Sequence, residues 1–328
     1  MIGIAVIGAG RIGQIHAANL ARNPRARLLY ISDSIEAAAK DLAQRCNARV
    51  ASLDRLLDDR AVDAVLIASS TDTHANLVER AAKAKKAIFC EKPLDLDAAA
   101  AQRCVDIAQQ HAVRLCVGFN RRHDPSFDKL HSEIRAGQIG DVEVISITSR
   151  DPSPPPADYI ARSGGLFRDM MIHDLDMGRW LLGEEPDQVY ATGSALASDD
   201  IRVAGDVDTA IAVLRTPSGR LCQITNSRRC TYGYDQRIEV FGSGGLLRVA
   251  NATQTRLERA DANGFATEPA LPFFLERYAD AYRIQLDRFL RALGGDALDI
   301  PSGNDGVRAL QLADAAQKSL QTAAPVAV

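Results

Sequence analysis

Gly8-Ala9-Gly10-Arg11-Ile12-Gly13 directly follows a short apolar run, residues 2–7, and opens a helical pattern over residues 15–22. Few local patterns restrict a fold so strongly. The first glycine permits a tight turn out of a strand, the second lets main chain approach a pyrophosphate, and the third lets the helix pack close to the strand. The helix start then offers unpaired N–H groups and partial positive charge to phosphate. A glycine-rich turn without a ligand would show the same six residues, but an acidic partner is also in place. Asp33 follows Gly13 by twenty residues, at the end of a second strand pattern, residues 27–32. A carboxylate there accepts from ribose hydroxyls and repels a 2′-phosphate. Ser34 and Ile35 come next, so no arginine stands ready for that phosphate, and the expected cofactor is NAD rather than NADP. The plainer reading of Asp33 is a helix cap or a solvated loop residue.

The alternation continues to residue 118. Helix patterns at 35–46, 73–84 and 96–111 interleave with strand patterns at 61–68, 87–90 and 114–117. Near-continuous apolar strands alternating with helices imply a parallel sheet covered on both faces, here a Rossmann dinucleotide-binding domain over residues 1–118. The rhythm then changes. An alternating segment at 142–148 precedes the loop Asp151-Pro-Ser-Pro-Pro-Pro156, and residues 165–182 hold one strong helix. Extended segments follow at 188–191, 207–214, 220–225, 236–241 and 246–249, separated by turns such as Pro217-Ser-Gly219. Two helices, about 275–292 and 305–321, end the chain. The class is therefore α/β, with the Rossmann domain followed by an α+β domain, residues 119–328, built on a mostly antiparallel sheet.

With 39 Lys+Arg against 42 Asp+Glu, the net charge is −3, which argues against a nucleic-acid or polybasic membrane partner. No apolar run approaches the roughly 20 residues of a membrane span. The first residues carry no basic region and no cleavage signal, so a cytoplasmic location is expected. The six cysteines form no C-x-x-C pair and are expected to be reduced and mostly buried.

Two clusters could carry chemistry. Glu91-Lys92-Pro93 ends a parallel strand, and ligands of such sheets bind at that edge. An ammonium at Lys92 can hydrogen-bond a substrate hydroxyl and favour its developing alkoxide. A lysine in a surface loop is, however, ordinarily only solvated. In the second cluster, Asp169 and His173 are four apart and share one face of a helix. Histidine is the natural base for an alcohol proton near pH 7, and a carboxylate one turn away can orient it. A surface Asp–His pair, or a Met- and Leu-rich core helix, would look the same. Asp174 faces away from His173 and no second histidine stands at ligand spacing, so no metal is expected.

In this order, the glycine fingerprint, Ser69-Ser-Thr-Asp-Thr-His74, Glu91-Lys92-Pro93 and the Asp169–His173 helix make the chain similar to the Gfo/Idh/MocA family of dinucleotide-dependent oxidoreductases. Within it, Gly118-Phe-Asn-Arg-Arg-His-Asp124, the segment 163–176 and Tyr232-Gly-Tyr-Asp-Gln-Arg-Ile-Glu-Val-Phe-Gly242 resemble members that oxidise inositols. The resemblance implies a catalytic set of Lys92, Asp169 and His173, with myo-inositol oxidised at its axial hydroxyl in inositol catabolism. It implies cofactor contacts from Gly8, Gly10, Arg11, Ile12, Gly13, Asp33, Ser70, Thr71, His74, Glu91 and Lys92. Substrate contacts would come from Lys92, Asn120, Arg122, Asp169, His173 and Tyr234, with Tyr278 or Tyr282 as a further aromatic. It also implies that the sheet of the α+β domain is large and open and assembles a homotetramer. Two positions depart from the pattern: His123 where an aromatic is frequent, and Met171 where threonine is common. Another inositol isomer or a pyranose, a non-catalytic NAD-binding redox sensor, and a partner-binding protein remain as alternatives.

Overall fold

The computed structural model describes residues 1–328 apart from the side chain of Ala161. Two compact units divide the chain: Met1–His123 with Asp280–Leu310, and Asp124–Ala279 with Gln311–Val328. The first unit is thus discontinuous, taking a late segment that lies far from it in sequence.

In the first unit, strands β1 (Ile2–Ile7), β2 (Ala26–Ser32), β3 (Arg49–Val50), β4 (Ala64–Ile67), β5 (Ala87–Cys90) and β6 (Leu115–Val117) form one sheet, all parallel, in the order β3-β2-β1-β4-β5-β6. The order reverses between β1 and β4, where doubly wound sheets open a ligand crevice at the strand C-termini. Helices α1 (Arg11–Arg22), α2 (Glu36–Arg45), α3 (Leu53–Asp58), α4 (His74–Lys83) and α5 (Ala98–Gln110) connect the strands. Asp97 caps α5 by accepting from Ala100 N–H at 2.7 Å, and Ser52 caps α3. The core joins Ile4, Val6, Leu20, Ile31, Leu42, Leu66 and Phe89 to Leu286, Phe289 and Leu290 of the helix Ala279–Leu293. Each such side chain contributes roughly 1.5–3 kcal/mol on burial.

In the second unit, α6 (Pro125–Arg135) precedes β7 (Val142–Arg150), α7 (Ala157–Ser163) and α8 (Ile172–Leu182). Strands β8 (Gln188–Ser194), β9 (Thr209–Arg215), β10 (Leu221–Ser227), β11 (Asp235–Gly242) and β12 (Gly245–Val249) follow, and Val326–Ala327 adds an edge. The order is β12-β11-β7-β10-β9-β8, then that edge. All pairs are antiparallel except β7 with β10, where Val144 faces Leu221. Tight turns account for β9-β10 and β11-β12, whereas residues 195–208, which hold a short helix at Asp199–Val203, join β8 to β9. The parallel pair arises because β7 enters long before β10 and is inserted between β10 and β11.

The helix expected within 165–182 is present as α8, with an irregular lead-in. Gly164 and Gly165 take φ +81° and +84°, which ends α7, and a π-helical stretch, Phe167–Met171, leads into α8. A hairpin, Glu258–Asp261 with Gly264–Thr267, lies outside the strands expected. One face of the main sheet is buried: Ile145, Ile147, Ala212, Leu214, Cys222, Ile224, Ile238 and Val240 point inward. Gly178 on α8 comes so close that a Cβ would sit 3.0 Å from Cys222 Sγ. The opposite face bears exposed Tyr190, Ile211, Leu221, Val144, Phe241 and Leu246.

Candidate active site

The fingerprint sits at the turn from β1 into α1. Gly8 has φ +105°, and a Cβ there would lie 2.5 Å from the Ala68 carbonyl carbon. A Cβ on Gly13 would lie 1.9 Å from Gly8 O, so both positions demand glycine on steric grounds. Gly10 differs: nothing lies within 4 Å of the place its Cβ would take. Gly10 is also the N-cap of α1, and no side chain caps that end. Arg11 is exposed and Ile12 half-buried on the first turn. Open space beside uncapped N–H groups fits the pyrophosphate of a dinucleotide.

Asp33 lies just past β2, and its carboxylate turns back to the fingerprint. Oδ2 accepts from Ala9 N–H at 2.6 Å and Oδ1 from Ile35 N–H at 2.7 Å. Ser34 Oγ also approaches Oδ1 at 3.5 Å, and Oδ2 keeps a second lone pair for a ribose hydroxyl. Beyond β4, Ser69 and Thr73 hydroxyls meet at 2.6 Å across the turn that holds Ser70 and Thr71. His74 is buried, with Nδ1 2.8 Å from Pro93 O and Nε2 3.2 Å from Ser69 O, so its ring ties the β4 and β5 loops together. Burial lowers its pKa, outweighing those carbonyls, which raise it.

Lys92 is half-buried between the buried Glu91 and Pro93, with a cis bond to Pro93. The Glu91 carboxylate is engaged by protein: Oε1 lies 2.6 Å from His16 Nε2 of α1, and Oε2 accepts from Lys92 N–H at 3.3 Å. Asn120, Arg122 and His123 lie in the buried turn Asn120–His123. Arg122 donates to Asp305 at 2.9 Å, and Ser302 also donates to that carboxylate. His123 has its pKa pushed down to about 3 by burial, then by Arg288 and Arg122, so it carries no charge near neutrality. Tyr282 belongs to this unit, its ring edge-on to His16 at 5.7 Å.

Asp169, His173, Tyr234 and Tyr278 belong to the second unit. Asp169 lies in the π-helical stretch, a helical irregularity frequent at functional sites. Two residues that local spacing does not reveal hold its carboxylate. Tyr159 of α7 donates its phenol at 2.8 Å, and the buried Arg228, just beyond β10, donates at 3.2 Å. Burial, then Asp169, raises the Tyr159 pKa well above 10, so the phenol remains a donor. His173 is half-buried at the start of α8, and Asp174 beside it is fully buried, accepting from Asn226 and Gln236. Asp176 faces Arg179 of its own helix at 3.6 Å. These acids therefore point to different partners, and among the described residues no group of three potential ligands gathers as a metal site. Tyr234 is buried, with Tyr278 edge-on at 5.9 Å, and Arg277 lies over the Tyr278 ring.

Residues 2–119 match the model of the "Oxidoreductase family, NAD-binding Rossmann fold", and residues 127–248 match the "GFO/IDH/MocA C-terminal domain". The chain is 49% identical to inositol 2-dehydrogenase of Rhizobium meliloti strain 1021 over 315 residues, 96% of each chain. The crystal structure of a myo-inositol dehydrogenase from Corynebacterium glutamicum superposes with TM-score 0.95 at 42% identity, covering 100% of this chain and 99% of that one. A scyllo-inositol dehydrogenase from Lactobacillus casei, with bound NAD(H) and scyllo-inositol, superposes with TM-score 0.92 at 30% identity, covering 100% and 99%. Matched by the models of both domains and by such relatives along nearly its whole length, the chain belongs to the Gfo/Idh/MocA family of NAD-dependent oxidoreductases.

Proposed function

We propose that the chain oxidises myo-inositol at its axial hydroxyl to the 2-keto product, with NAD+ as oxidant. The observation that carries this reading is the 49% identity to an inositol 2-dehydrogenase across 96% of both chains. Gly8, Gly10, Arg11, Ile12 and Gly13 would hold the pyrophosphate end of the cofactor and Asp33 its adenosine ribose. Ser70, Thr71, His74, Glu91 and Lys92 would border its nicotinamide half. When bound, NAD+ supplies a hydride acceptor at its nicotinamide ring. His173 removes the hydroxyl proton as hydride leaves the carbon that bears it. A neutral imidazole does this near pH 7, and such a base contributes about 10²–10⁴ in rate. Asp169 orients His173 and stabilises the imidazolium formed. Lys92 donates to the reacting oxygen and stabilises its negative charge. Asn120, Arg122 and Tyr234 are assigned to the polyol side, with Tyr278 beside Tyr234.

NADH absorbance with NAD+ and myo-inositol tests the reading, with NADP+ and scyllo-inositol in parallel. Rapid NADH formation with myo-inositol upholds it. Faster turnover of scyllo-inositol would favour a second reading, which the scyllo-inositol-bound relative supports. NAD+ binding without turnover of any cyclitol would move the assignment to a sugar substrate or to a redox sensor.

For assembly, we assign a homotetramer formed through the open sheet face of the second unit. Leu221, Val144, Phe241 and Leu246 stand side by side in register on that face, all exposed. An apolar row of this kind on a sheet marks an interaction surface. A cytoplasmic location accords with this role, and among the described residues no helix is long and apolar enough to cross a membrane.

A further inference from the structure

His16 and Glu91 take no part in the proton and hydride transfers above, yet they form a buried ionisable contact in the first unit. The His16 ring is fully buried, and Phe89 and Tyr282 meet it edge-on at 5.5 and 5.7 Å. Nε2 lies 2.6 Å from Glu91 Oε1, whereas Nδ1 is buried with no hydrogen-bond partner. A proton on Nε2 makes the bond. A lone proton on Nδ1 would leave a buried donor without an acceptor, so the contact itself selects the tautomer.

The other carboxylate oxygen accepts the Lys92 main-chain N–H. On a third side stands Gly118, where a Cβ would lie 2.8 Å from the carboxyl carbon and from both oxygens. The carboxylate is thus confined by α1, by the chain leaving β5 and by the residue that follows β6. A short, buried, charge-assisted bond is a stiff connector.

We propose that His16 is a positioning residue: it fixes Glu91, and through Glu91 the main chain at Lys92, with respect to the helix whose N-terminus forms the cofactor site. The inference rests on the reading of Lys92 as the group that binds the reacting oxygen. Cofactor and lysine are carried by separate elements, α1 and the end of β5. Misplacement by about 1 Å costs on the order of a hundredfold in rate, so a rigid link between those elements has a direct catalytic effect.

The test compares His16→Leu and Glu91→Gln with the parent enzyme, and includes Lys92→Met. Steady-state kinetics with NAD+ and myo-inositol are read beside hydrogen exchange of the Lys92 amide. Each strut variant should lose roughly tenfold in kcat, His16→Leu with KM for NAD+ held within about twofold, and in both the Lys92 amide should exchange faster. A purely structural role would lower thermal stability without this split. Should His16→Leu fail to fold, Glu91→Gln, of nearly equal size, carries the comparison. Unchanged kcat in the strut variants, while Lys92→Met is inactive, overturns the proposal. If Lys92→Met retains full turnover, the reading of Lys92 fails instead. Exchange then decides the strut: a faster Lys92 amide upholds the link and an unchanged one overturns it.

Discussion

Lys92 and Asp169 are held in place by different means. Around Lys92 the main chain does most of the holding: a parallel strand end, an N–H bound to Glu91, and loops tied by His74 to main-chain carbonyls. Gly8 and Asp33 belong to the same scheme, since Asp33 accepts from two main-chain N–H groups. Asp169 instead sits in an irregular helical stretch and is gripped by two long side chains, Tyr159 and Arg228, from separate elements. A parallel sheet brings its loops to one edge by topology alone. A mixed sheet with covering helices must recruit side chains from wherever they reach. The first arrangement is the more sensitive to backbone change, the second to loss of a gripping side chain.

Removing the proposed base gives the largest expected effect. His173→Ala should lower kcat by about 10²–10⁴ in the NADH assay, and a loss below about fivefold would remove His173 from that role. Gly8→Ala probes the backbone-held unit. With φ +105° and a Cβ 2.5 Å from Ala68 main chain, the loop must distort. NAD+ affinity, read by titration, should fall by roughly tenfold or more, and normal binding would show that the loop is not set by that turn. Arg228→Met probes the side-chain-held unit. Breaking so buried a pair costs about 3–5 kcal/mol, so Tm should fall along with kcat, and an unshifted Tm would deny that Arg228 grips Asp169.

The pH dependence of stability sharpens the contrast further. His123 is buried neutral, its folded pKa pushed down to about 3 against 6.5 in the open chain. Between these values the unfolded state binds the extra proton, so stability falls as pH drops from 6.5 toward 3, by at most about 1.4 kcal/mol per unit. His123→Gln should flatten that slope in denaturant titrations, and an unchanged slope would place the acid sensitivity elsewhere. The smallest effect is expected from Tyr159→Phe. One hydrogen bond of roughly 0.5–1.5 kcal/mol is lost while Arg228 remains, so a collapse of activity would mean that the phenol does more than hold Asp169.

What the sequence reveals follows the same division. The turn at Gly8, the doubly wound order and the place of Lys92 at a strand end are local or periodic, and periodicity reads them. The partners of Asp169 are not. Tyr159 lies ten residues before it and Arg228 fifty-nine after, with no spacing rule joining them. Nor does apolar spacing distinguish a π-helical stretch from an α-helix over five residues, so the irregular lead-in to α8 is not legible in it. Tyr278 and Tyr282 look equivalent on one helical pattern, yet they belong to different units. His16 reads as an ordinary core position of an amphipathic helix, because its partner Glu91 is 75 residues away.

Strand β7 has a consequence for how the chain is made. Its neighbours are β10 and β11, so its two edges pair with Leu221–Ser227 and Asp235–Gly242, about 77 to 100 residues further on. On a ribosome adding about 5–20 residues per second, this Val- and Ile-rich segment waits several seconds with both edges open. The first unit waits longer still, since Leu286, Phe289 and Leu290 complete its core. Neither unit can finish folding as it emerges, and the nascent chain must be kept from self-association until its last third is synthesised.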